Sequence, residues 1–206
     1  NYRLVKSMTI FGLPESVVGE RLGGLDADLP GLTLGLRAKF PEIQVKLYVN
    51  GSDREDLERQ LALGQTWVSE KLGDKVISTD NRTIQGVVGE LLKERKATLA
   101  LAESCTGGLI ASWMTDVPGS SEYFLFGGVT YANAAKTRFA GVDPAAIEKY
   151  GAVHEEIVKQ MAAGVRNAAG ATFGLATSGI AGPDGGSTEK PVGTVCIGLA
   201  TPQAVN

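Results

Sequence analysis

The sequence predicts an α/β protein. Its second part is a three-layer arrangement, a sheet covered by helices on both faces, and a small α+β module precedes it. Three observations predict this. From Thr83 onward, short apolar runs alternate with runs of helical spacing, the order that builds a sheet packed between helices. The apolar runs are nearly continuous and bounded by glycine, as strands buried on both faces are. Before Lys75 the order is instead strand, helix, two strands, helix, with an apolar set of its own. The two parts are assigned as 1–75 and 76–206.

In the first part, Arg3 to Ile10 has strand-like apolar spacing. Pro14 to Gly23 is a short helix opened by proline and closed by glycine. Leu32–Phe40 and Ile43–Val49 are β-rich runs joined at Pro41-Glu42, a hairpin. Asn50-Gly51-Ser52-Asp53 supplies a turn and an N-cap for the charged amphipathic helix Arg54–Leu72. Gly73-Asp74-Lys75 ends the module, and Ser78 to Arg82 is a polar link. The second part begins with a helix over Thr83–Glu94. Strand Leu99–Ala102 and helix Gly107–Val117 follow, then strand Gly128–Tyr131 and a short helix, Asn133–Phe139. Pro144–Tyr150 and His154–Ala169 are helices, with His154 at an N-cap position. Phe173–Ser178 and Val192–Ala200 are the remaining strands.

Composition excludes several functions. The 206 residues are 43% hydrophobic and 21% charged, an ordinary globular balance. A net charge of −3 gives no electrostatic footprint for nucleic acid or an anionic membrane. No apolar run is long enough to span a bilayer, and no secretory signal pattern is present. Two cysteines, Cys105 and Cys196, make no disulfide framework and favour a reduced, cytoplasmic setting. The single histidine, His154, and two cysteines cannot assemble a usual zinc site without several carboxylates, so neither metal nor cofactor is expected.

Three strand ends in the second part carry the chemistry. At Ala102-Glu103-Ser104-Cys105-Thr106-Gly107-Gly108 a strand turns sharply into a helix, where a serine is held rigidly before free backbone N–H groups. The bland alternative is that Ser104 and Thr106 cap that helix. At Thr130-Tyr131-Ala132-Asn133-Ala134-Ala135-Lys136, the side chains of Tyr131, Asn133 and Lys136 can face one crevice; a core tyrosine and a surface lysine are the alternatives. Thr177-Ser178-Gly179-Ile180-Ala181-Gly182-Pro183-Asp184-Gly185-Gly186 is a glycine-rich loop that lets N–H groups approach an anion, or a plain connection. It matches neither the dinucleotide nor the phosphate-loop pattern. In an α/β sheet such loops gather into one crevice. Without a second histidine, a Ser–Lys pair or an activated Cys105 is the available nucleophilic system.

These motifs, with Gly151-Ala152-Val153 and Lys190-Pro191-Val192-Gly193-Thr194-Val195, resemble in order and spacing the C-terminal domain of the CinA family. The resemblance covers about Thr83 to Ala200. It implies a nicotinamide-nucleotide amidase, which converts nicotinamide mononucleotide to nicotinate mononucleotide and ammonia. It also implies Ser104 as nucleophile, Lys136 as its base and Tyr131 nearby. Thr106, Gly107, Gly108 and Asn133 would then serve the oxyanion and substrate. The 5′-phosphate would be held at Gly179, Ile180, Ala181, Gly182, Gly185 and Gly186, with Lys190 adding charge. Residues 1–75 resemble the family's KH-like middle module, so the chain is expected to be a fragment. An N-terminal domain similar to molybdopterin-binding enzymes and the end of the amidase domain would lie outside it. His154 departs from the family, which commonly has Ser or Thr there. Nucleic-acid binding is not expected, because residues 1–75 have balanced charge and no basic Gly-x-x-Gly loop. The hairpin is expected to pair with another copy, giving a homodimer or larger homo-oligomer. The competing readings are an inactive nucleotide-binding or assembly protein, a cysteine amidohydrolase and a nucleic-acid-binding module.

Overall fold

Strand β1 (Tyr2–Phe11) lies between two antiparallel partners, β3 (Glu42–Gly51) and the short β4 (Val76–Ser78), and β2 (Thr33–Lys39) completes the order β2-β3-β1-β4. In β3 the period of two puts Ile43, Val45, Leu47 and Val49 on one face, all buried. They pack with Met8 and Ile10 of β1 against Leu57, Leu61, Val68 and Leu72 of α3 (Arg54–Leu72). Asp53 caps α3, its side chain accepting from the N–H groups of Glu55 and Asp56. Helices α1 (Glu15–Arg21) and α2 (Leu25–Asp28) add Val18, Leu22 and Leu25 to this core. The short β4 extends the first sheet beyond Lys75, because Thr9 and Ile10 pair with Ser78 and Val76.

The computed structural model describes residues 1–206 as two compact units, Asn1–Val88 and Gly89–Asn206, the division falling inside α4 (Ile84–Glu94). The first unit is the small α+β module, and the second is the α/β sheet covered by helices. That sheet has the order β6-β5-β7-β8, formed by β5 (Leu99–Glu103), β6 (Phe124–Val129), β7 (Phe173–Gly179) and β8 (Val195–Ala200). Strands β6, β5 and β7 are parallel, and β8 runs antiparallel to β7. One face packs on α6 (Asn133–Ala140), α7 (Pro144–Tyr150) and α8 (Glu155–Ala169) through Ala100, Ala102, Ala176, Ile157, Met161 and Val165. The other packs Leu99 and Leu101 against Leu92 of α4, Met114 of α5 (Leu109–Thr115) and Tyr123.

Two strands differ from expectation. The strand expected at Gly128–Tyr131 lies at Phe124–Val129, because Gly127 and Gly128 sit inside the parallel ladder opposite Leu101 and Ala102 rather than breaking it. The last strand begins at Val195, not Val192, and is an edge strand whose Val195, Ile197 and Leu199 are exposed. The register brings the carboxyl ends of β5, β6 and β7 together: Glu103 pairs with Val129 on one side and Thr177 on the other. The three loops of interest leave from this one edge.

At three glycines helix α8 comes into direct backbone contact with its neighbours. A Cβ on Gly174 or Gly198 would stand 2.1 Å or 2.2 Å from carbonyl oxygens of α8, and one on Gly164 would stand 1.8 Å from the Ala140 oxygen of α6. Alanine normally favours a helix interior over glycine by about 1 kcal/mol. Here the clash is with backbone that cannot rotate away, so Gly164→Ala should destabilise the second unit by roughly 2–3 kcal/mol, read as a lowered denaturation midpoint. Because α6 carries Lys136, activity should fall with it.

Candidate active site

Ser104 is the first residue beyond β5 and is 6% exposed. Its N–H donates to Thr177 O (3.0 Å), which anchors the turn to β7, and its carbonyl accepts from Gly107 N–H (3.1 Å). Thr106 Oγ1 lies 2.8 Å from Thr177 Oγ1, a second tie across the same strands.

Lys136 comes from the second turn-and-helix segment. Ala132 is the N-cap of α6, and Lys136, one turn in, points back towards the sheet edge. Its side chain is 1% exposed. Nζ lies 3.0 Å from Ser104 Oγ, 2.9 Å from Thr130 O and 3.0 Å from Tyr131 O. No carboxylate is paired with it. Burial pushes its pKa below the ordinary lysine value, negative charge on nearby Cys105 acting the other way. Nζ donates to both carbonyls and to Ser104 Oγ; once deprotonated, the amine keeps two N–H groups for the carbonyls and has its lone pair for the Ser104 hydroxyl.

The remaining expected residues divide. Tyr131 meets Lys136 through its carbonyl, while its side chain is 70% exposed and its phenol has no hydrogen bond. Asn133 is the exposed first residue of α6. The expectation that Gly107 and Gly108 cradle an oxyanion is corrected, because both N–H groups are already used. Gly107 N–H donates to Ser104 O and Gly108 N–H to Glu103 Oε2. In this turn the N–H groups of Cys105 and Thr106 have no acceptor within the protein.

The glycine-rich loop is corrected at its start. Gly179 ends β7, and Ile180 N–H donates to Thr194 O. A Cβ at Gly179 would meet Thr194 O at 2.8 Å and Cys105 Sγ at 2.9 Å, so glycine is needed there for packing. From Ala181 to Gly186 no backbone N–H has a protein acceptor, and Gly182 and Gly185 have φ of +77° and +90°. Lys190 Nζ donates to Tyr150 O, and Ser178 Oγ donates to Ala152 O; both hold the 150–152 turn. His154 is the N-cap of α8 as expected, Nδ1 accepting from Glu156 N–H, with its ring stacked on Tyr150 at 4.6 Å. No group of three or more His, Cys, Asp or Glu is gathered to hold a metal ion, and no helix is long and apolar enough to cross a membrane.

One residue that sequence reasoning missed is Glu103. It is 1% exposed, and its carboxylate accepts from the N–H groups of Gly108, Ile110 and Ala111. The signal was a lone charge ending the otherwise apolar strand Leu99–Ala102.

Residues 81–206 match the CinA C-terminal domain, and residues 5–78 match the KH domain of the damage-inducible protein CinA. A CinA-like protein of Desulfosudis oleivorans is 56% identical over 99% of this chain, and one of Geobacter metallireducens is 50% identical over 94%. The chain covers 49% and 47% of those two proteins, about half the length of the curated relatives it matches. Among solved structures, a competence/damage-inducible protein of Agrobacterium tumefaciens superposes with a TM-score of 0.56 at 40% identity, covering 58% of this chain and 73% of that one. A CinA-superfamily protein of Escherichia coli gives 0.57 at 30% identity, covering 59% and 71%. The chain, with both of its units matched in order, belongs to the CinA family.

Proposed function

We propose that the second unit is a serine–lysine amidohydrolase that acts on the carboxamide of nicotinamide mononucleotide. The observation that carries the reading is the buried Lys136 amine, 3.0 Å from Ser104 Oγ and held by two carbonyls with no counter-ion. Burial that lowers the pKa of Lys136 favours the neutral amine, the form that serves as a general base.

Lys136 Nζ takes the Ser104 proton as Oγ attacks the carboxamide carbon. The carbonyl oxygen becomes an oxyanion facing the N–H groups of Cys105 and Thr106, donors that need no reorganisation. Collapse breaks the C–N bond, and the Lys136 ammonium gives its proton to the departing nitrogen, releasing ammonia. Lys136, again neutral, deprotonates a water that attacks the acyl carbon. Ser104 Oγ leaves with the returned proton, and the product is the carboxylic acid. For the 5′-phosphate, the unpaired N–H groups of Ala181, Gly182, Gly185 and Gly186 are the supporting feature; Gly179 and Ile180 are not part of that cradle.

The test is direct. Ammonia and nicotinate mononucleotide are measured after incubation with the mononucleotide, beside nicotinamide riboside. Removing a dianion that several N–H groups hold should lower kcat/KM by roughly tenfold or more, mostly through KM. Equal efficiency on riboside and mononucleotide would remove the phosphate site. Absence of ammonia from the mononucleotide would remove the substrate.

A further inference from the structure

We propose that Glu103 is the positioning residue of the oxyanion cradle: its carboxylate, by holding three backbone N–H groups of the following turn and helix, aims the N–H groups of Cys105 and Thr106 at the reacting carbonyl oxygen. The inference rests on the amidohydrolase reading of Ser104.

Glu103 is 1% exposed and has no cation beside it. A buried carboxylate without an ion-pair partner is tolerated only when its oxygens are well supplied with donors. Glu103 Oε2 accepts from Gly108 N–H and Ile110 N–H, both at 3.1 Å, and Oε1 accepts from Ala111 N–H at 2.8 Å. These are the donors that open the first turn of α5, which would otherwise be free. With Gly107 N–H held by Ser104 O, Cys105 and Thr106 are left as the turn's only free donors, and both lie directly after the nucleophile. The carboxylate therefore does two things. It withdraws the helix terminus from competition for an anion, and it pins the far end of the turn whose near end is pinned by Thr177.

The main chain of Glu103 works separately. Its carbonyl accepts from Thr130 N–H (2.7 Å) and Thr130 Oγ1 (3.3 Å), and Thr130 O in turn holds Lys136 Nζ. The carboxylate thus bears on the cradle, and the carbonyl bears on the base. A side-chain substitution disturbs only the first. Loss of cradle alignment should then appear in turnover and leave both substrate binding and the titration of Lys136 unchanged.

Glu103→Gln keeps the shape but sets an NH2 group against one of the three N–H donors. The expected result is a fall in kcat of about 100-fold, the scale of a small misplacement of reacting groups. KM should stay within about twofold and the acid limb of the pH profile should not move. A second readout is independent of amide hydrolysis. A fluorophosphonate forms an Oγ–P bond at Ser104 with loss of fluoride, and its phosphoryl oxygen requires the same cradle, so its labelling rate should fall in parallel. If the wild-type protein is labelled at Ser104 but releases no ammonia, the amidohydrolase reading fails and the labelling ratio alone judges Glu103. Wild-type kcat or labelling in the Gln variant overturns the proposal, as does a loss carried by KM or by a shifted acid limb. So does failure of wild-type Ser104 to label. If Glu103→Gln does not fold, Glu103→Asp, which retracts the charge by one methylene, is judged by the same criteria.

Discussion

Ser104→Ala should abolish amide hydrolysis while leaving the fold in place. Losing an activated nucleophile typically lowers turnover by about 10⁴- to 10⁶-fold. Little else should change. The side-chain hydroxyl has one partner, Lys136 Nζ, whereas the backbone bonds to Thr177 and Gly107 do not depend on it. Lys136 keeps its two carbonyl partners, Thr130 O and Tyr131 O. Ammonia release and circular dichroism measured together check both halves. Cys105 is the competitor, so Ser104→Ala that keeps wild-type turnover, with Cys105→Ser inactive, would transfer the nucleophile to the thiol.

Lys136→Met should lower turnover by at least about 10³-fold, since it removes the base and also the acid that protonates the leaving nitrogen. Methionine approximates the stem and carries no charge, so it suits a side chain that is 1% exposed. Lys136→Arg should be no better, because a guanidinium does not give up its proton at any working pH. The pH dependence has a definite sign. Only the neutral amine accepts the Ser104 proton, so the rate should rise with pH through the folded-state pKa of Lys136. Burial lowers that pKa, so the limb should lie at lower pH than for an exposed lysine. Stability carries the same signature. Between the lowered folded value and the ordinary unfolded one, the unfolded chain binds the proton and the folded chain does not. Stability therefore rises with pH across that window and is lost as pH falls through it. Lys136→Met should flatten this slope, which chemical denaturation at several pH values would reveal.

The helices were legible because their ends carry local chemistry. Asp53, Asp143 with Pro144, and His154 with Gly170 at the far end mark α3, α7 and α8 by capping that needs no tertiary context. Strand β5 was legible for a different reason: five consecutive residues are buried, so its sequence is uniformly apolar up to Glu103. β6 was not, because Gly127-Gly128 reads locally as a break, and only pairing with β5 makes it strand. The direction of β8 is set by its neighbour and leaves no trace in composition. At the site, strand-end position made Ser104 and Lys136 candidates, and only the family resemblance gave them the roles of nucleophile and base. What could not be read was which N–H groups remain free there. That depends on where a buried carboxylate finds its donors, a matter of three dimensions rather than of spacing. Tyr131 shows the same limit, since its carbonyl and not its phenol reaches Lys136.

The turn that carries Ser104 is tied to Thr177 by partners 71 residues apart, and the dyad itself joins residues 32 apart. Neither closure is local, and contacts of long sequence separation form only after the chain has surrendered the corresponding loop entropy. The pKa of the lysine is lowered only once it is buried, and burial requires α6 to dock. A chain that has made its helices but not yet set β7 beside β5 therefore holds an ordinary serine and an ordinary, protonated lysine. Reactivity of the proposed dyad should therefore be a late product of folding: during refolding, Ser104 labelling should lag the return of helical signal.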